Sequence, residues 1–181
     1  MLTLHTKIEH AASIDGELLL PYALREKSRQ RARLRCGEEV AIFTVRGTVL
    51  RNGDLLEGSD EDGSRRVVRI VAADEDTSCV RCSSGKTLLR CAFHLGNRHT
   101  QAQVGSDATG AFLRIRRDPV LTEMLIGLGA TVADETAPFE PESGAYGSGH
   151  HAHGDGHGHG GTLLAPVPLR QKIHRPTDTV G

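Results

Sequence analysis

"SSGKTLLRCAFHLGNRH", running from Ser83 to His99, decides how the second half of the chain is read. A serine at 83 or 84 is a good helix N-cap, because its hydroxyl can accept from a first-turn backbone N–H that has no partner within the helix. Leu88, Cys91, Ala92 and Leu95 then recur at helical spacing, and Gly96 offers a stop. Outward from this helix, the residues around Cys79 and Cys82 read as a preceding strand. "AQV" (102–104) and "AFLRIR" (111–116) read as two short strands that follow. "DPVLTEMLIGLG" (118–129) is a second helix, with Asp118 as N-cap, Pro119 in the first turn and Gly129 as terminator. Val120, Leu121, Met124, Leu125 and Leu128 form its apolar face. "ATVADETAP" (130–138) supplies a last strand. The order strand, helix, strand, strand, helix, strand is the split pattern of a ferredoxin-like domain, placed at residues 74–146.

The first 73 residues have a different texture. "RARLRCGEEVAIFTVRGTVLRNGDLL" (31–56) holds short β-branched runs punctuated by Cys36-Gly37, Arg46-Gly47 and Asn52-Gly53, the last a strong tight-turn signal. From Arg29 to Cys36, arginines alternate with Gln30, Ala32, Leu34 and Cys36, which predicts a strand with one basic and one inward face. "RRVVRIVAA" (65–73) is another strand, and "ADEDTS" (73–78) reads as an acidic connector that closes a small β-rich domain. After Tyr146, glycine, histidine and polar residues dominate without periodicity. Residues 147–181 are therefore expected to be a tail that is largely disordered without metal. The fold class is α+β.

Composition narrows the function. The chain has 181 residues, 3% aromatics, no tryptophan and a formal charge of −1, which argues against an electrostatic nucleic-acid binder. No basic leader with an apolar run opens the sequence, and no apolar stretch approaches the roughly 20 residues of a membrane span. Four cysteines in that setting read as thiols of a cytoplasmic protein. The arginines at 29, 31, 33 and 35 could face RNA, but stacking partners are scarce, so a solvated face or an acidic partner protein fits better. "SSGKT" fails as a phosphate loop because Val80 stands where a glycine is needed. Glu140 and Glu142 sit in a proline-flanked loop that suggests no acid–base catalysis.

The metal chemistry lies in histidines. "HHAHGDGHGHG" (150–160) holds His150, His151, His153, His157 and His159, half of the chain's 10 histidines. Imidazole suits nickel, zinc or copper(II), and the tract lacks the soft sulfur that copper(I) favours. Glycine spacers let several rings surround one ion, at an entropic cost that predicts loose, exchangeable binding. An expression tag would be uninterrupted and terminal; this tract is neither. His94 and His99 form a second candidate, His99 in the loop leaving the helix, where a histidine is either a ligand or a solvated bystander. Cys79 and Cys82 with Cys91 and His94 have Cys₃His zinc spacing. Yet odd spacing on a strand sends Cys79 and Cys82 to opposite faces, and Cys91 lies on the apolar face of its helix. Buried thiols are the better reading.

Taken in order, "HLGNRH" (94–99), "DPVLTEMLIGLGATV" (118–132), "APFEPESGAYG" (137–147) and the histidine-rich tail resemble the urease accessory protein UreE family, as does the stretch 31–56. The resemblance covers roughly residues 1–160. It implies a homodimeric nickel metallochaperone, not an enzyme. Its β-rich domain (1–73) would meet partners, and its ferredoxin-like domain would bind metal. It implies delivery of nickel to the urease apoprotein with a GTPase of the same assembly pathway, zinc being a possible competitor, and no role for nucleic acid or membrane. It also implies that His99, closing the G-N-R-H motif, meets its counterpart at the dimer interface, where two copies hold one nickel ion. The five tail histidines would add ligands and capacity. The chain departs from some relatives at "IRRDPVL" (115–121), where Arg116, Arg117 and Pro119 replace further metal-binding histidines. The alternative is a nickel or zinc storage buffer without specific delivery.

Overall fold

A computed structural model of the chain describes residues 1–143; the tail histidines, and the rest of the chain from residue 144, lie outside the described residues. The described part is α+β, mostly strands: β1 (Leu2–Ile8), β2 (Gly16–Leu20), α1 (Tyr22–Arg25), β3 (Arg29–Arg33), β4 (Glu39–Phe43), β5 (Leu55–Ser59), β6 (Arg65–Ala72), β7 (Asp74–Arg81), α2 (Gly85–Asn97), β8 (Ala102–Asp107), β9 (Gly110–Arg116), α3 (Pro119–Gly127) and β10 (Thr131–Pro138). No helix among the described residues is long and apolar enough to cross a membrane.

The first six strands form one sheet in the order β2-β6-β5-β1-β4-β3. β1 runs parallel to β4 and β2 parallel to β6, while the remaining pairs are antiparallel. Its core is aliphatic: Leu2, Leu4, Leu18, Val40, Ile42, Leu50, Leu56, Val68 and Ile70 are all fully buried. Gly58 is required by space, since a Cβ there would lie 1.9 Å from the Thr3 carbonyl oxygen, beside the irregular register of β1 against β5. The arginine alternation is as expected over β3, with Arg29, Arg31 and Arg33 exposed and Gln30 and Ala32 half-buried. It ends at Arg33. Cys36, expected to face inward, is exposed in the β3–β4 turn, where Gly37 has φ +94° and bends the chain away from the sheet. Asn52-Gly53 is a turn, with φ +89° at Gly53, but it does not join two paired strands. Gly53 N–H donates to Ile70 O, and Asn52 Oδ1 accepts from Ala72 N–H, so the turn is pinned to β6.

"ADEDTS" is not a connector. Only Ala73 separates β6 from β7, and Asp74–Ser78 begin β7, which pairs with β10 along its full length from Asp74↔Pro138 to Thr131↔Arg81. The strand buries Thr77 and Ser78 because both are satisfied: Thr77 Oγ1 donates to Glu135 O and Ser78 Oγ to Asp134 Oδ1. The element order β7-α2-β8-β9-α3-β10 agrees with the expected strand and helix order. The second sheet runs β10-β7-β9-β8, every pair antiparallel. One face packs on both helices through Val80, Cys91, Leu95, Leu113, Ile115, Leu125 and Ala130.

The helix faces differ in detail from the sequence reading. Ser84 caps α2 by accepting from Thr87 N–H, and Asp118 caps α3 by accepting from Leu121 N–H, with Pro119 following. Val120, expected on the inner face of α3, is 75% exposed. At about 100° per residue, the inward direction set by Leu121, Leu125 and Leu128 leaves Val120 roughly a quarter turn away. The two sheets are tied by the segment after β10. Arg25, wholly buried, donates to Leu20 O, Leu50 O and Phe139 O and pairs with Glu140; Arg51 also reaches Glu140. Tyr22 N–H donates to Glu75 Oε1, and its ring meets Phe139 edge-on at 5.7 Å. A buried guanidinium persists only when its donors are matched, as here. Glu140 is thus a structural acceptor.

Candidate metal centre at a helix end

α2 runs one residue past Gly96, the expected stop, and its C-cap is Arg98. The chain turns at His99, the only non-glycine with positive φ (+52°) among the described residues. His99 N–H donates to Gly96 O at 2.9 Å and Thr100 N–H to Leu95 O at 3.1 Å. These two bonds are the paired closure of a Schellman motif, with His99 at the left-handed position that usually takes glycine. α3 ends in the same way: Gly129 (φ +95°) donates to Ile126 O and Ala130 N–H to Leu125 O. A left-handed residue bearing a Cβ is disfavoured by about 1 kcal/mol, although histidine visits that region more than most residues.

The result is an exposed imidazole just beyond a helix C-terminus, with no hydrogen bond or ion pair to its ring among the described residues. Carbonyl oxygens of the last turn give that end partial negative charge, which favours a cation. His94 lies one turn earlier, half-buried, its ring edge-on to Phe93 at 5.6 Å. No group of three or more His, Cys, Asp or Glu side chains among the described residues could hold a metal ion. His99 is therefore a single donor within one chain's described part. His150, His151, His153, His157 and His159 lie outside the described residues.

The Cys₃His arrangement does not assemble. Cys79 is buried in β7 on the face away from the helices, while Cys82, just past the strand, packs with Cys91 on the helix side. Burial pushes the Cys79 thiol up, and burial together with the neighbouring Cys82 sulfur pushes Cys91 up to about 11. With Cys79 on the opposite side of the sheet from Cys82 and Cys91, the three sulfurs do not share one site. The stretch that departs from some relatives has other work. Arg117 pairs with Asp134 at 2.7 Å, and Arg116 lies over the Tyr22 and Phe139 rings at 5.7 and 5.4 Å. The sequence reading missed the Cys82–Cys91 proximity and the Arg25–Glu140 pair, since neither has a short-range signal.

Two further exposures bear on the helix. Leu89 and Phe93, four residues apart on one side of α2, are 72% and 64% exposed. Single exposed apolar residues are ordinary, but two adjacent ones make a small patch on the helix that ends at His99.

Comparison with known proteins accounts for nearly the whole chain. The family model described as the UreE urease accessory protein N-terminal domain matches residues 2–73, and that of the C-terminal domain matches residues 75–161. A urease accessory protein UreE of Janthinobacterium sp. (strain Marseille) is 64% identical over 98% of both chains, and one of Nitrosospira multiformis is 60% identical over 98% of both. One from Ralstonia nicotianae is 46% identical, covering 88% of this chain and 69% of its own. With both domain models matched in order and relatives of this identity across its length, the chain belongs to the UreE family of urease accessory proteins.

Proposed function

We propose that the protein is a cytoplasmic nickel metallochaperone that delivers nickel to the urease apoprotein while its metallocentre is assembled, handing the ion on with the accessory GTPase. The observation that carries this reading is His99: an exposed imidazole held in a conformation the fold would assign to glycine, in a member of a urease accessory family. Residues 1–73 serve as the partner-binding domain, residues 74–146 as a ferredoxin-like metal-binding domain, and residues 147–181 as the collecting tail. The β10-β7-β9-β8 order with two helices on one face supports the ferredoxin-like assignment.

One His99 is too few donors for a nickel ion. Two copies related by a two-fold axis bring two His99 rings to one ion, and the apolar Leu89–Phe93 patch on the same helix supports pairing there. His150, His151, His153, His157 and His159, or water, complete the coordination. Ligation by two fixed imidazoles and several exchangeable ones lets a partner take the ion by replacing one donor at a time. Zinc competes through the same nitrogens.

Removing the residues after Gly149 separates delivery from storage. In cells making urease with ample nickel, the truncated chain is expected to sustain urease activation, and His99→Gly in the truncated chain to abolish it. If truncation alone removes activation along with binding capacity, the protein is a nickel or zinc buffer.

A further inference from the structure

All four cysteines lie among the described residues, and two of them meet: Cys82 Sγ and Cys91 Sγ are 3.9 Å apart. Cys82 follows β7 directly and precedes the Ser83-Ser84 cap; Cys91 sits in the middle of α2, wholly buried against Val80 and Leu113. Strand end and helix middle are thus held sulfur to sulfur by the turn between them. Cys79 faces the other side of the sheet, and Cys36 lies in an exposed turn of the first sheet, so neither has a thiol neighbour. We propose that Cys82 and Cys91 are a redox pair that closes to an intramolecular disulfide when the protein meets a peroxide.

Access and geometry assign the roles. Cys82 is the half-exposed thiol, so it meets the oxidant first, while Cys91, wholly buried, waits behind it. The Cys82 thiolate attacks one peroxide oxygen, the O–O bond breaks, and Cys82 becomes a sulfenic acid with hydroxide leaving. Cys91 sulfur then attacks the Cys82 sulfur, the S–O bond breaks, and the departing hydroxide takes the Cys91 proton as water. Overall, two thiols and one hydrogen peroxide give one disulfide and two waters. Bonding distance is about 2.05 Å, which side-chain rotation of the half-exposed Cys82 can supply. The bond would fasten the middle of α2 to the end of β7, stiffening the helix that ends at His99.

Hydrogen peroxide applied to the folded full chain, followed by alkylation and peptide mapping without reductant, tests this. The expected product is a single cross-linked species joining the Cys82 and Cys91 peptides, lighter by two hydrogens. It should revert with dithiothreitol, be unchanged in Cys36→Ser and be absent in Cys82→Ser. The oxidised chain should also melt at a higher temperature than the reduced one, since closing Ser83–Arg90 restricts the unfolded state. In Cys91→Ala the Cys82 sulfenic acid should accumulate and be trapped by a cyclic diketone. Should that variant fail to fold, the Cys82→Ser result stands alone. Cys82 carried on to sulfinic acid with Cys91 still a free thiol, or products confined to Cys36-linked dimers, would overturn the proposal.

Discussion

The two helices on the second sheet end in the same hydrogen-bonded turn but fill its left-handed position differently. α3 uses Gly129, which has no Cβ to clash and satisfies the turn at no steric cost. α2 uses His99, whose Cβ crowds the following carbonyl in the left-handed conformation. Both turns close the equivalent two carbonyls of their own helix, so hydrogen bonding at the helix end does not explain the histidine. Unfavourable backbone geometry that persists beside an equivalent, relaxed solution points to a requirement on the side chain. An exposed imidazole at the negative end of a helix is the feature on which the proposed shared metal site rests.

Glycines required by space rather than by conformation set the upper end of the scale. Gly58→Ala drives a Cβ into the Thr3 carbonyl and is expected to destabilise the first sheet by about 3 kcal/mol or more, measured by urea unfolding. A loss under about 1 kcal/mol would mean β1 can shift. Gly129→Ala meets only an ordinary contact, Thr87 Cγ2 at 3.7 Å, so its cost comes from φ alone: about 1–2 kcal/mol, with nickel binding unaltered. A neutral result would remove the energetic contrast between the two turns. His99→Gly is the mirror experiment. It relaxes the turn and should stabilise the fold by up to about 1 kcal/mol while lowering nickel affinity. Smallest in free energy is the order of thiol labelling in the folded chain: Cys36 first, then Cys82, with Cys79 and Cys91 reacting only on unfolding. Labelling of Cys91 at the rate of Cys36 would show that α2 opens readily.

Much of this architecture could be read before the structure. Both helices carry serine or aspartate caps and apolar residues at helical spacing, so periodicity revealed them together with the strands between. The first half of β7 escaped because periodicity counts apolar side chains, and that half is acidic and hydroxylic. Its burial depends on hydrogen bonds from Thr77 and Ser78 to β10, more than fifty residues away. Arg25 escaped for a similar reason: its carboxylate, Glu140, is 115 residues distant. The site was half legible. His99 could be picked out by residue type and by resemblance, but Gly96 looked like the natural stop. Nothing in the composition says that the helix continues and that histidine takes the left-handed turn.

The proposed nickel site requires His99 to pair across a dimer. Nickel titration calorimetry on the chain ending at Gly149, with and without His99→Gly, tests it most directly, because glycine removes the ligand while favouring the turn. The expected result is one tight ion per two chains in the parent and at least a roughly tenfold weaker site in the variant, a difference of about 1.4 kcal/mol, with the melting temperature unchanged or raised. Equal affinity and stoichiometry in both would contradict it, and would leave the strained histidine without a role in metal binding.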